Sequence, residues 1–192
     1  MNVTQGGLVE ASRNKSLVRF GISFILASIK STNGACAVAC PFFMPIEKLE
    51  GGNWLHAQRL PLGCGWSGRC TAPGHEGETP SDEELREFCN LGYAGGCRRI
   101  PRERAFDSVR FGVRTLGGGA EKGIVQRVQI RYVCERGHCP VEDGFLEFDV
   151  ASGRWQTGHR DNRVQRMAEC FLAAYMDKRK KRKEPVARLG SL

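Results

Sequence analysis

The sequence predicts an α+β protein: a cysteine-rich, loop-dominated lobe, then a small antiparallel sheet backed by a C-terminal helix. Three observations predict this class. Six of the nine cysteines lie within residues 34–101, alternation of apolar side chains begins after residue 105, and the clearest helical periodicity covers residues 161–177. With 192 residues, of which 41% are hydrophobic, the chain is long enough to bury a core of its own.

We expect a single domain over residues 34–177. It divides into the cysteine-rich lobe, residues 34–101, and the sheet with its helix, residues 102–177. Residues 1–33 are expected to form an N-terminal extension or a helix. Residues 178–192 are expected to form a charged tail, because the run KRKKRK opens it.

The lobe has no sustained helical or alternating pattern before the stretch PSDEELREFCN. There Ser81 and Glu84 have the spacing of a capping box, which predicts a short helix. Gly92 suits its termination, so the helix should end near Cys89. This places Cys89 in the last turn and Cys97 in the loop that follows.

Three strands with one buried face are predicted in the second half of the chain. They lie in FDSVRFGVRT, IVQRVQIRYVC and GFLEFDVASGRW, and the glycine-rich stretch TLGGGAEKG between the first two reads as a hairpin loop. The opposite phase of the first two strands carries arginines that should face solvent: Arg110, Arg114, Arg127 and Arg131.

The helix over residues 161–177 should cover the apolar face of this sheet. Its apolar residues recur at spacings of three and four, which is typical of an amphipathic helix: Val164, Met167, Ala168, Phe171, Leu172 and Tyr175.

The chain carries 29 Lys and Arg against 21 Asp and Glu, a net charge of +8. The lobe is acidic, and the basic residues follow it. This balance favours acidic partners. The arginine-bearing sheet face and the basic tail could contact a nucleic-acid backbone or an acidic protein, although a solvated face and a solubilising tail explain the same charges.

The start of the chain loosely imitates an export signal, since three basic residues precede an apolar run at 20–29 and small residues follow it. Lys30 and Asn33 separate the run from those small residues, which argues against a cleavage site. The run is also far shorter than the roughly 20 residues of a membrane-spanning helix. We therefore expect a cytoplasmic protein without a membrane span.

The lobe cysteines admit three interpretations: a metal or cluster site, buried core thiols, or disulfides. No CxxC pair occurs, and zinc sites usually show closely spaced pairs, so zinc is not indicated strongly. An odd cysteine count fits a secreted disulfide framework poorly. Iron–sulfur clusters can draw thiolates from separated loops, and several lobe cysteines are flanked by proline or glycine. The candidate ligands are Cys40, Cys70, Cys89 and Cys97.

A second, weaker candidate site lies in CERGHC, where Cys134, His138 and Cys139 could bind zinc. Against this, the segment joins two predicted strands and fits an ordinary loop. Cys134 and Cys170 otherwise fit buried core positions, because free cysteine behaves as a small apolar residue.

No catalytic signature occurs: GxSxG, HExxH and a phosphate-binding loop are all missing, so an enzymatic activity stays undecided. The predicted function is a protein that binds an iron–sulfur cluster, 4Fe–4S by preference, for electron transfer or as a structural or sensing centre, with a protein partner. The alternative is a zinc-stabilised binding module for nucleic acid or an acidic protein.

Three segments resemble a bacterial family of cysteine-containing proteins that has no assigned activity. They are CPFFMPIEKLEGGNWLHAQRLPLGCGWSGRC, EFCNLGYAGGCRRIP and YVCERGHCPVEDGFLEFDVASGRW. The resemblance covers roughly residues 38–175. It implies a shared fold and transfers no catalytic residue.

Overall fold

A computed structural model of the chain describes residues 38–50, 54, 60–92, 96–116 and 127–183. All of them belong to one compact unit, Ala35–Leu192. The predicted N-terminal extension, most of the glycine-rich loop and the end of the basic tail lie outside the described residues.

The predicted α+β class is confirmed. Two antiparallel sheets, a short helix and a long C-terminal helix form the described fold. In chain order the elements are β1 (Phe43–Lys48), β2 (Trp66–Cys70), α1 (Asp82–Glu84), β3 (Ser108–Leu116), β4 (Arg127–Arg136), β5 (Cys139–Asp149), β6 (Arg154–Thr157) and α2 (Asn162–Lys183).

The lobe contains a two-stranded sheet that the sequence did not predict. Strands β1 and β2 pair antiparallel, with a bulge between Pro45 and Glu47. Pro45 in β1 and Gly68 in β2 interrupt the alternation of side chains, so the sequence carries no strand pattern there. Gly68 is required there, because a side-chain carbon at this position would lie 2.3 Å from the carbonyl oxygen of Met44.

The larger sheet is a four-stranded meander in the order β3-β4-β5-β6. Three of its strands match the predicted ones, and the structure adds β6 after the turn that follows β5. The β4–β5 hairpin turns at Gly137 and His138, whose φ angles are 54° and 64°. Two successive residues with positive φ are typical of the tight turns that match strand twist.

One face of this sheet packs against α2, as predicted. Val128, Ile130 and Leu146 from the sheet meet Ala168 and Leu172 from the helix in one buried cluster. Burial of these side chains provides most of the stabilisation of an amphipathic helix in water.

A second buried cluster joins the lobe to the sheet and the helix. It contains Phe43 and Trp66 from the lobe, Val109 from β3, and Val164 and Met167 from α2. The lobe and the sheet therefore share a core.

The backbone also joins lobe and sheet directly. The N–H of Ala39 donates to the carbonyl oxygen of Val109 over 2.6 Å, and the N–H of Val109 donates back over 3.0 Å. Neither residue is exposed to solvent. This pair ties the segment that enters β1 to the edge strand of the larger sheet.

The outer face of the larger sheet is less basic than the arginine pattern suggests. Arg110 is half-buried and forms an ion pair with the buried Glu135, and Arg131 pairs with Asp143 at 3.4 Å. Arg114 is exposed, as predicted. Carboxylates of the neighbouring strands therefore neutralise part of this face.

Helix α2 continues six residues past the predicted end at 177. The run KRKKRK is therefore helical rather than the start of a tail. Cations near a helix C-terminus interact favourably with its dipole, and the first helix breaker that follows this run in the sequence is Pro185. Lys48 of β1 also pairs with Asp177 at 3.0 Å. No helix among the described residues is long and apolar enough to cross a membrane.

Asp107 fastens the β4–β5 turn to the segment that precedes β3. Its carboxylate accepts from the N–H of Gly137 and from Arg104, each over 2.6 Å. The Gly137 N–H, assisted by the Arg104 guanidinium, lowers the pKa of Asp107.

Asp107→Asn should therefore destabilise the protein at neutral pH by an amount that shrinks in acid. A carboxyl whose folded-state pKa is lowered contributes stability above its unfolded value of about 3.9, and this contribution is lost as the pH falls further. Urea unfolding of both proteins between neutral pH and pH about 3 measures the difference. Asp143→Asn, at an exposed carboxylate, is the control. A difference that stays constant into acid would contradict this role of Asp107.

Candidate metal centre

The four predicted ligands meet at one cavity. Cys40, Cys70, Cys89 and Cys97 all line it. The apolar side chains around them are Phe42, Phe43, Ala72, Pro80, Phe88 and Ile100, and the charged ones are Glu84 and Arg99. The four cysteines come from different parts of the lobe, and folding brings their side chains to the same cavity.

The pairing of β1 with β2 sets Cys40 near Cys70. Phe43, the first residue of β1, pairs with Cys70, the last residue of β2. The contact continues beyond the strands, since the N–H and the hydroxyl of Thr71 both donate to the carbonyl oxygen of Phe42, over 2.8 and 2.9 Å. Cys40 begins the turn that leads into β1, with its carbonyl oxygen accepting from the N–H of Phe43.

Cys89 is positioned by the short helix and by the residue that follows it. The predicted capping box is present, with Ser81 and Glu84 bonded reciprocally, and the helix continues as a π-helical turn over Leu85–Cys89. The next residue, Asn90, is only 2% exposed.

The Asn90 carboxamide joins this turn to β2. Its oxygen accepts from the N–H of Trp66, and its nitrogen donates to the carbonyl oxygens of Trp66 and Leu85, each over 3.0 Å. All three bonds are buried, where an unmade hydrogen bond costs more than it does at the surface. Asn90 therefore fixes the turn that ends in Cys89 against the strand that ends in Cys70.

The return of the chain toward Cys97 passes against the segment before Cys40. At Gly92, where φ is +59°, a side-chain carbon would lie 2.3 Å from the carbonyl oxygen of Val38. Only glycine permits this approach. Residues 93–95 lie outside the described residues, and Cys97 itself is half-buried.

Burial and mutual repulsion oppose ionisation of these thiols. Burial raises the pKa of Cys40 to about 12, and the thiols of Cys97 and Cys70 add to the rise. Burial, with contributions from Cys40 and Cys97, raises the pKa of Cys89 above its ordinary range. Four thiolates could coexist here only beside a compensating positive charge, such as that of a metal.

Backbone N–H groups nevertheless lie near two of the sulfurs. The N–H of Ala72 donates to the Sγ atom of Cys70 over 3.5 Å. The N–H groups of Phe42 and Phe43 lower the pKa of Cys40, against the larger effect of burial. Donors of this kind stabilise a thiolate and tune a metal bound to it.

Among the described residues, no group of three or more His, Cys, Asp or Glu side chains is arranged to hold a single metal ion. A tetrahedral zinc ion, with Zn–S bonds of about 2.3 Å, would draw its sulfurs to within about 4 Å of one another. A four-iron cluster binds each thiolate through a different iron, so its sulfurs lie farther apart. The usual ligand set of such a cluster, four cysteines, is the set that lines this cavity.

The remaining cysteines have other surroundings. Cys134 and Cys170 are 0% and 1% exposed within the core, as predicted. Cys64 is half-buried and Cys139 is exposed. None of the eight cysteines in the described part of the chain forms a disulfide; the ninth, Cys36, lies outside it.

The second candidate site is not assembled. Cys134 lies in the core on β4, while Cys139 is exposed at the start of β5, and His138 occupies the turn between the strands. Cys134 pairs with Glu142 and Cys139 pairs with Arg136, so the two cysteines lie at different positions of the hairpin and in different environments. Zinc binding by this set stays a prediction that these positions do not favour.

Arg99 is the site residue that the sequence did not single out. It lines the cysteine cavity and forms ion pairs of 3.0 Å with both Glu78 and Glu84. In the sequence it stands two residues after Cys97, in RRIP, which is the only local signal that could have indicated it.

Comparison with protein-family models, with curated proteins and with solved structures finds no match to this chain. The comparisons therefore add no family to the resemblance noted in the sequence. The function has to be inferred from the geometry of the cysteine cavity.

Asn90→Ala should reduce the free energy of unfolding by about 3 kcal/mol, because it leaves buried backbone groups of Trp66 and Leu85 without partners. Gln156→Ala, at an exposed position of β6, should change it by less than about 0.5 kcal/mol. Urea denaturation of both variants measures the effect. Equal, small changes in the two variants would contradict the role assigned to the Asn90 carboxamide.

Proposed function

We propose that this protein binds a 4Fe–4S cluster through Cys40, Cys70, Cys89 and Cys97, and acts in electron transfer or as a structural or sensing cluster protein. The observation that carries the proposal is that four cysteines, separated by up to 57 positions in the sequence, line one cavity. Four cysteine thiolates are the usual ligand set of such a cluster.

The surroundings of the cavity support a cluster. Phe42, Phe43, Phe88 and Ile100 limit access of water, and the reduction potential of a cluster depends on such exposure. The N–H···S contact at Cys70 supplies the second means by which a protein tunes a cluster, and the N–H groups of Phe42 and Phe43 lower the pKa of Cys40. The chain need supply no acid–base chemistry for electron transfer.

The compartment that we propose is the cytoplasm. The described cysteines are all thiols, and a reducing compartment keeps them available as ligands.

Anaerobic purification, or reconstitution with iron and sulfide, tests the cluster. The full chain should become brown and contain iron and acid-labile sulfide in equal amounts. Replacing any one of the four ligands with serine should reduce or abolish this loading, because serine is a poor substitute for a soft thiolate. Cys139→Ser, at an exposed cysteine outside the cavity, should load normally.

The same purified protein distinguishes the cluster from the zinc-stabilised module. Colourless protein with one zinc ion per chain would favour the zinc-stabilised module over the cluster. Colourless protein without zinc would contradict both.

The zinc-stabilised module would bind nucleic acid or an acidic protein. One observation favours nucleic acid. The helical run of six basic residues at the end of α2 concentrates positive charge, and Lys178, Lys180 and Lys181 are exposed. The sheet face contributes less, since Arg110 and Arg131 are paired with carboxylates.

If this helix end binds nucleic acid, the affinity for single- or double-stranded oligonucleotides should fall steeply with salt, because bound counterions are released. The double variant Lys180→Gln/Lys181→Gln should bind more weakly and show a shallower salt dependence. Arg69→Gln/Arg86→Gln removes the same charge from exposed lobe positions and serves as the control. Fluorescence anisotropy measures both. Binding that is absent, or unchanged in the first variant, would eliminate this partner.

A further inference from the structure

Arg99 is held rigidly inside the cysteine cavity. Its side chain is 18% exposed, and it forms ion pairs of 3.0 Å with Glu78 and Glu84 at the same time. Glu84 is itself fixed, because its carboxylate accepts from the N–H of Ser81 over 2.7 Å. A guanidinium with two carboxylate partners has little freedom to move away.

The same guanidinium lies near a predicted ligand. Arg99 lines the cavity together with Cys70, whose sulfur accepts from the N–H of Ala72. The neighbouring Arg98 is exposed and does not line the cysteine cavity, although both arginines line an open pocket beside Cys97. The chain therefore offers two adjacent arginines, of which only Arg99 lines the cysteine cavity.

We propose that Arg99 is a positioning residue that raises the reduction potential of the cluster by holding a positive charge beside the ligand Cys70. The inference rests on the proposed function. One electron from a low-potential reductant would make a cluster bound by these cysteines one unit more negative, with no bond formed or broken.

The expected sign follows from this charge change. A nearby cation stabilises the more negative, reduced form, so it raises the potential, and the interaction is stronger in a partly buried site than in water. Glu78 and Glu84 offset part of this effect while they hold the guanidinium in place. Screening by salt acts weakly on buried charges and strongly on exposed ones.

The test is the midpoint potential of the reconstituted full chain, followed by optical or spin-resonance titration. Arg99→Gln should lower the potential, and the shift should persist at high salt. Arg98→Gln, the matched loss of charge in solvent, should leave the potential close to that of the unmodified protein. Arg99→Lys keeps the charge and should recover much of the difference.

A second pair of variants applies if Arg99→Gln fails to load a cluster. Glu78→Gln removes one carboxylate from Arg99 at a half-exposed position and should raise the potential. Glu76→Gln, which removes a nearby exposed carboxylate without an ion pair to Arg99, should not.

The measurements distinguish a failure of the role of Arg99 from a failure of cluster binding. Equal potentials for Arg99→Gln and Arg98→Gln, or for Glu78→Gln and Glu76→Gln, would overturn the role of Arg99 and leave the cluster standing. An unmodified chain that takes up no cluster would overturn the proposed function, and the role of Arg99 with it.

Discussion

The Asn90 carboxamide is the interaction on which the cysteine cavity most depends. It meets both backbone groups of Trp66 and one of Leu85 in a buried position, so it sets the distance and the angle between β2 and the short helix. Cys70 lies at the end of the strand, and Cys89 lies at the end of the helical turn. A side chain with a donor and an acceptor can meet these needs together, whereas an apolar residue would leave the backbone groups unpaired.

Metal binding would place two conflicting demands on this cavity. Apolar packing around the sulfurs excludes water and raises the cost of ionising them, yet only thiolates bind metal. The N–H of Ala72 and the Arg99 guanidinium would partly resolve the conflict, since they supply positive potential without filling the cavity with water. The ion pairs of Arg99 with Glu78 and Glu84 then keep that charge in one place.

Patterns of local origin could be predicted from the sequence, and features made by distant segments could not. Alternation identified three strands of the larger sheet, and the capping box at Ser81 located the short helix. The pairing of β1 with β2 has no sequence signature because Pro45 and Gly68 interrupt the alternation. Flanking glycine and proline indicate the four cavity cysteines, but Arg99 has no comparable signal because its partners Glu78 and Glu84 are remote in the chain.

The backbone pair between Ala39 and Val109 has a consequence for how this protein can be divided. The residue before Cys40 is bonded to β3, so part of the cavity wall is held by a strand that lies outside the cysteine-rich region. Excising that region, or grafting it onto another scaffold, would separate it from β3. The N–H and the carbonyl oxygen of Ala39 would then lose their hydrogen-bond partners on Val109. The cysteine-rich region is therefore not a transplantable module, and insertions or deletions between it and the sheet must preserve this one pairing.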